Sequence, residues 1–444
     1  MTVSVFDITV CDWNIGNRII MEAVYRELYE LFPSETLISL PYCEPFSPMT
    51  LDYIQKSKHL FFGGGNVLAS DVADLSLFWG IRKENLPQVN KTVLMGVGWW
   101  KYQHKPSREV SAMLQSSLHR HDQHSVRDTY TKDMLAVAGI ANVLVTGCPS
   151  MWSLSPEFCR AIPEEKAGEV LCTFSADYAQ DMTRDKKILQ ALARQYKMIY
   201  VWPQGPRDGA YVRQLGVPCH VLPANISALD RFLAEAGAVD YVGTRLHAGV
   251  KALQHGKRSL IVAIDNRARE QRRDFNFPVI LDSELDELDD WIKARRPCEI
   301  RLPYEAINQW KSQYYGGGQW IARRQQERLS LFMSNVARAN KRYAVYGTGK
   351  VAKEILSLVE YWHWPRPVFM IDHVPGSCDR LCGIPVRNLD TLSDHDFDAI
   401  VLGSNVHQQA MRAHLAQKFG DKVVPLDLSG ESDGPCELRG GGVT

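Results

Sequence analysis

Short apolar runs break repeatedly into glycine- or Asx-containing turns and then into segments of helical apolar spacing. This alternation constrains the fold more than any other feature. Residues 3–10 are apolar and β-branched, residues 11–17 read as a turn, and residues 18–31 carry Ile19, Ile20, Ala23, Val24, Leu28 and Leu31 at helical intervals. A strand at 36–40 precedes a proline-rich loop at 41–48, and a strand from His59 runs into Gly63, Gly64 and Gly65 and then, at Asn66, into an expected helix start. Further strands are expected at 92–98, 124–128 and 142–146, with a helix at 129–138. Strands alternating with helices specify a parallel α/β sheet, so residues 1–150 are expected to form one Rossmann-like, doubly wound domain.

A second alternation follows the linker at 151–168. Strands are expected at 170–174, 198–202, 241–243 and 259–264, with helical patterns at 186–194, 228–236 and 248–254. The second domain is therefore drawn at 151–338, and its polar, mostly helical end is expected to cross both domains. A third, smaller Rossmann-like unit is drawn at 339–428, opening on Tyr343 to Tyr346, and the glycine-rich tail at 429–444 is expected to be disordered.

Lys+Arg and Asp+Glu are equal at 51 each, so no net field argues for nucleic acid or an acidic membrane surface. The apolar runs are strand-sized, far short of a transmembrane span, and residues 1–10 lack the basic-then-apolar order of a signal peptide. The scattered cysteines read as reduced structural thiols, which places the chain in the cytoplasm, with peripheral contact at the inner face of the membrane as the variant placement. His119, His121 and His124 fall in a polar turn without a carboxylate at clear spacing, so no metal is expected. Trp99-Trp100 and Trp202 lie at strand ends, where a ring flanks a ligand or fills the core.

The chemistry concentrates at Asp240-Tyr241-Val242-Gly243-Thr244-Arg245-Leu246-His247-Ala248. Arg245 and His247 fall in the first turn of a helix at the carboxyl end of a strand. Ligands of open α/β sheets bind there, and the free N–H groups of the helix start favour negative charge. A cation and an imidazole at that point suit an anionic substrate that must receive a proton. Arg127, next to Asp128 in a turn, is either a second ligand cation or a structural ion pair.

Five ordered pieces carry a resemblance over residues 1–271: Asn14-Ile15-Gly16, Phe62-Gly63-Gly64-Gly65, Ser125-Val126-Arg127-Asp128, Thr146-Gly147-x-Pro149 and Gly243-Thr244-Arg245-Leu246-His247-Ala248. Together they resemble the polysaccharide pyruvyl transferases. The resemblance implies two Rossmann-like domains in a GT-B-like arrangement. It also implies transfer of pyruvate from phosphoenolpyruvate, the co-substrate, to hydroxyls of a surface glycan, lipid-linked or nucleotide-linked sugar, as a ketal, with no required cofactor. By the same resemblance His247 is the acid, and Arg245 and Arg127 hold carboxylate and phosphate with the Leu246 amide. Arg267 is a further phosphate contact, and Gly63, Gly64, Gly65, Asn66, Asn14, Gly16 and Asn17 line the acceptor side.

Three positions depart from the family pattern: Asn17 and Cys148 stand where aspartate is usual, and Trp99-Trp100 replace a smaller turn. In the third unit, Gly347-x-Gly349-x-x-Ala352 follows a strand, and Asp372 comes 25 residues after Gly347, a spacing that fits a dinucleotide fingerprint. Gly347, Gly349 and Asp372 are thus candidate contacts for a nucleotide or NAD, a vestigial or scaffolding fold being the other reading. The competing functions are a GT-B glycosyltransferase using a nucleotide sugar and a non-catalytic nucleotide-binding scaffold. An oligomer is compatible with all of them.

Overall fold

The computed structural model describes residues 2–178, 180–314, 323–361, 364–372, 379–404, 407–420, 423 and 425–426. The tail expected at 429–444 lies outside them. The chain forms two compact units, Met1–Gln313 and Tyr314–Thr444.

Among the described residues the first unit holds two larger parallel sheets and two parallel strand pairs, Asn66–Leu68 with Gly98–Trp99 and His124–Val126 with Val143–Val145. In the first larger sheet, Thr2–Asp7 lies between Thr36–Pro41 and His59–Gly63, and Thr92–Met95 pairs outside the latter. The opening strand ends at Asp7, three residues before its expected limit, because the Asp7 carboxylate accepts from both the amide and the hydroxyl of Thr9 at 2.7 Å. The second sheet runs in the order His220–Val221, Met198–Val201, Glu169–Cys172, Val239–Gly243, Ser259–Ala263, Val279–Leu281. Both sheets grow outward in two directions from their first strand. Each therefore has a switch point, where successive connections leave on opposite sides and a crevice opens at the strand ends. In the first sheet it lies after Asp7 and Gly63, and in the second after Cys172 and Gly243.

One expected element is absent. The triple glycine does not lead into a helix: Asn66–Leu68 is a short strand paired with Gly98–Trp99, and the helix begins only at Val72. Gly64 and Gly65 have φ of +64° and +84°, and this left-handed turn lets the Gly65 carbonyl accept from Gly98 N–H at 2.8 Å. The turn thus delivers Asn66 to a strand rather than to a helix start.

The second unit has a sheet ordered Arg380–Leu381, Ile384–Asn388, Met370–Asp372, Tyr343–Tyr346, Ala399–Leu402, parallel except for its edge hairpin. Side chains alternate across it: Tyr343 and Val345 join one core cluster, Ala344 and Tyr346 the other. The expected boundary at 338 is displaced. The helix Arg323–Arg338 places Leu329, Phe332, Met333 and Val336 in the core beside Tyr343 and Val345, whereas Tyr304–Ser312 belongs to the first unit. The apolar stripe of Arg323–Arg338 packs on the third sheet. Gly347, at φ +115°, follows Tyr346 at this sheet's own switch point, and Asp372 accepts from Thr348 Oγ1 at 2.6 Å.

Candidate active site

The switch points of the first two sheets face a shared cavity of about 430 Å³. Asn14, Asn17 and Gly65 come from segments that follow strands of the first sheet, Asn66 and Arg127 from the two strand pairs, and Asp177, Tyr178, Arg245, His247 and Arg267 from segments that follow strands of the second sheet. Leu246, Gly16, Gly63 and Gly64 are not among the lining residues. Leu246 opens the helix Leu246–Gln254, so its N–H has no intrahelical partner by position, while its side chain is buried.

The three unlined glycines serve packing. A Cβ at Gly63 or Gly64 would run into Val24 or Ile20 of the first helix, Gly16–Leu31, which covers this sheet. At Gly16 it would occupy the place of the Gln204 side chain. Gln204 ties the two halves together there: its Nε2 donates to Asn14 Oδ1 at 2.8 Å, and its carbonyl accepts from the Ile15 amide at 3.1 Å. Asn17 donates to Asp12 Oδ2 at 2.6 Å and to the Ile8 carbonyl at 3.3 Å. Asn14 and Asn17 therefore hold the loop in shape while forming the cavity wall.

Each cavity arginine is held by its own carboxylate. Arg127 sits at the end of His124–Val126 and donates through Nε to Asp128 Oδ2 at 2.8 Å. The other Asp128 oxygen caps the next helix by accepting from Thr131 N–H at 2.8 Å. The two readings of Arg127 therefore merge, because the ion pair aims a guanidinium that also lines the cavity. It donates further to Asn66 Oδ1, and its plane packs on Gly98, where a Cβ would collide with it. Arg245 donates to both Asp208 oxygens, at 3.0 and 3.3 Å, and Asp208 also accepts from the amides of Ala176, Gln204 and Gly205. Arg267 donates through Nε to Asp265 Oδ2 at 2.8 Å and lies over the Tyr178 ring. Further along the same helix, Arg272 pairs with Glu284, and Arg273 with Glu270 and Asp274.

His247 is buried at 6% exposure, and its Nε2 lies 3.8 Å from Cys148 Sγ. Burial first, then the charges of Arg267 and Arg127, push its pKa down from 6.5 to about 3. The protein's own groups therefore keep the ring neutral at ordinary pH. Burial pushes the Cys148 thiol up, so it too is neutral. Burial also raises the Asp265 carboxyl, but Arg267 and Arg127 outweigh it and hold that group below its usual range. Three guanidiniums around one imidazole can bind a polyanion of carboxylate and phosphate, and such an anion would offset the field that keeps the ring unprotonated.

Sequence reasoning did not find Asp208, Gln204, Asp177 or Tyr178. The switch-point rule applied to the strand Glu169–Cys172 would have reached Asp177 and Tyr178, whereas Asp208 carries no local signal. Of the clustered histidines, His124 is structural: Nδ1 accepts from the Leu94 amide at 3.2 Å, and Nε2 lies 3.0 Å from the His119 carbonyl. Among the described residues no group of three or more His, Cys, Asp or Glu could hold a metal, and no helix is long and apolar enough to cross a membrane.

The sequence profile described as Polysaccharide pyruvyl transferase matches residues 14–266, which is more than half of the chain and includes Arg127, Arg245 and His247. A search of curated proteins returns no match. Among solved structures, the wall teichoic acid polymerase TagF aligns over 71% of this chain and 82% of its own, at 10% identity and a TM-score of 0.35. The E. coli heptosyltransferase WaaC aligns over 70% of this chain and 99% of its own, at 12% identity and a TM-score of 0.33.

Proposed function

This chain belongs to the polysaccharide pyruvyl transferase family, and from that premise we propose that it transfers pyruvate from phosphoenolpyruvate to a sugar of a cell-surface polysaccharide or its precursor. The observation that carries this reading is the convergence of Arg127, Arg245, Arg267 and His247 on one cavity between two switch points. Phosphoenolpyruvate presents a carboxylate and a phosphate, which three fixed guanidiniums can hold by charge-assisted, bidentate bonds.

In the proposed reaction C3 of the enol takes a proton from His247, and C2 becomes electrophilic. A sugar hydroxyl oxygen bonds to C2 and loses its proton. The C2–O bond to phosphate then breaks, and a second hydroxyl closes the ketal. Of the two hydroxyl protons, one balances the new methyl group and the other leaves with phosphate. In this reading Arg127 and Arg245 stabilise charge on the departing phosphate, and His247 acts as acid once the donor anion raises its pKa.

Phosphate release from phosphoenolpyruvate, measured with a pooled glycan acceptor, tests the reading. The expected result is acceptor-dependent release that falls at least about a hundredfold in His247→Ala, the scale of a lost general acid. Release unchanged in that variant removes His247 from the role of acid. Indifference to phosphoenolpyruvate, with turnover of a nucleotide sugar instead, removes the donor.

A further inference from the structure

The imidazole of His247 meets a thiol. Its Nε2 faces Cys148 Sγ at 3.8 Å, and that sulfur accepts from Ser150 Oγ at 3.1 Å. Cys148 is 2% exposed, lines the cavity and directly precedes Pro149–Met151, a helical turn packed against the His247 helix. Sulfur and ring are thus placed by backbone on both sides.

Charged groups approach this pair from each neighbouring segment. Arg127 comes from the end of His124–Val126, and Asp265 with Arg267 from the turn after Ser259–Ala263. Arg245, with its partner Asp208, comes from the start of the same helix. Asp177, paired with Arg207, and Tyr178 come from the loop after Glu169–Cys172. Further along the His247 helix, Lys251 is paired with Glu22 and Asp230. Arg267 and Arg127 disfavour a proton on the ring, and Asp265 favours one. A carboxylate in place of the sulfur would hold an imidazolium by contact charge, whereas a neutral thiol does not.

We propose that Cys148 is a positioning residue whose thiol, unlike a carboxylate, sets no charge against His247 Nε2, so that the proton used in transfer is taken up from solvent together with the anionic donor. The inference rests on the phosphoenolpyruvate reading above. Carboxylate and phosphate entering among Arg127, Arg245 and Arg267 bring negative charge beside the ring. Binding and protonation are then linked, and the acid is present only when the enol is present to receive its proton.

Calorimetric titration of the full chain with phosphoenolpyruvate at about pH 7.5, repeated in buffers of different ionisation enthalpy, counts the protons exchanged. The expected result is binding with a net uptake approaching about one proton per donor. Uptake is retained in Cys148→Ser, lowered in Cys148→Asp, and lost in His247→Gln while binding heat persists. Donor binding without proton uptake in the unaltered chain overturns the inference and leaves the donor assignment standing, as does full uptake in Cys148→Asp. Absence of binding overturns both. Should Cys148→Asp fail to fold, histidine NMR of the unaltered chain decides: the inference requires His247 neutral without donor and protonated with it, and any other pair of states contradicts it.

Discussion

At the scale of the residue, burial and charge decide what each side chain can do. His247 and His124 are both held neutral by burial, at about 3 and about 4 against an ordinary 6.5. A histidine depressed in this way binds fewer protons folded than unfolded. Its contribution is fully present above 6.5, and stability falls as pH drops from 6.5 toward the folded value. His124→Ala leaves the buried Leu94 amide without its acceptor and is expected to cost about 1–3 kcal/mol near neutrality. The same variant should decline less between pH 6.5 and 4, as read by urea titrations across that range. A neutral-pH stability equal to that of the unaltered chain would contradict the structural role. The placement of Arg245 and His247 at a strand end and a helix start was legible in the sequence. The thiol against His247 and the Asp208 anchor of Arg245 were not, because their partners lie 99 and 37 residues away in sequence.

At the scale of the element, turns place the site. The Gly63-Gly64-Gly65 turn was legible as a tight strand exit, but its outcome was not. Nothing local says that Asn66–Leu68 will find Gly98–Trp99 thirty residues later and form a strand there instead of starting a helix. Gly98 is the more sensitive position, because its missing side chain is what gives the Arg127 guanidinium its bed. Gly98→Ala is expected to displace Arg127 with an overpacking cost of about 1–3 kcal/mol and to weaken donor affinity by about tenfold or more. Titration of the variant with phosphoenolpyruvate measures this, and unaltered affinity would show that Arg127 does not hold the donor. Gly64 acts differently, since its φ of +64° and its contact with Ile20 fix the packing of the first helix.

At the scale of the molecule, the Rossmann-like parallel sheets followed from alternation alone, and two of them share a cavity. The division of the chain did not follow so directly. The helix Arg323–Arg338 is amphipathic, and its stripe says that it packs without saying on which sheet. The third sheet has the strand, glycine turn and terminal aspartate of a nucleotide-binding unit, with the Asp372 carboxylate engaged by Thr348. A nucleotide or NAD remains our proposal for Gly347, Gly349 and Asp372. For the first two sheets, we propose that the facing switch points form one anion site for phosphoenolpyruvate. A crystal structure of the chain soaked with phosphoenolpyruvate tests it most directly. The ligand is expected among Arg127, Arg245 and Arg267, with C3 turned toward His247. Donor bound elsewhere, or a cavity that fills with a nucleotide sugar and excludes phosphoenolpyruvate, would contradict it.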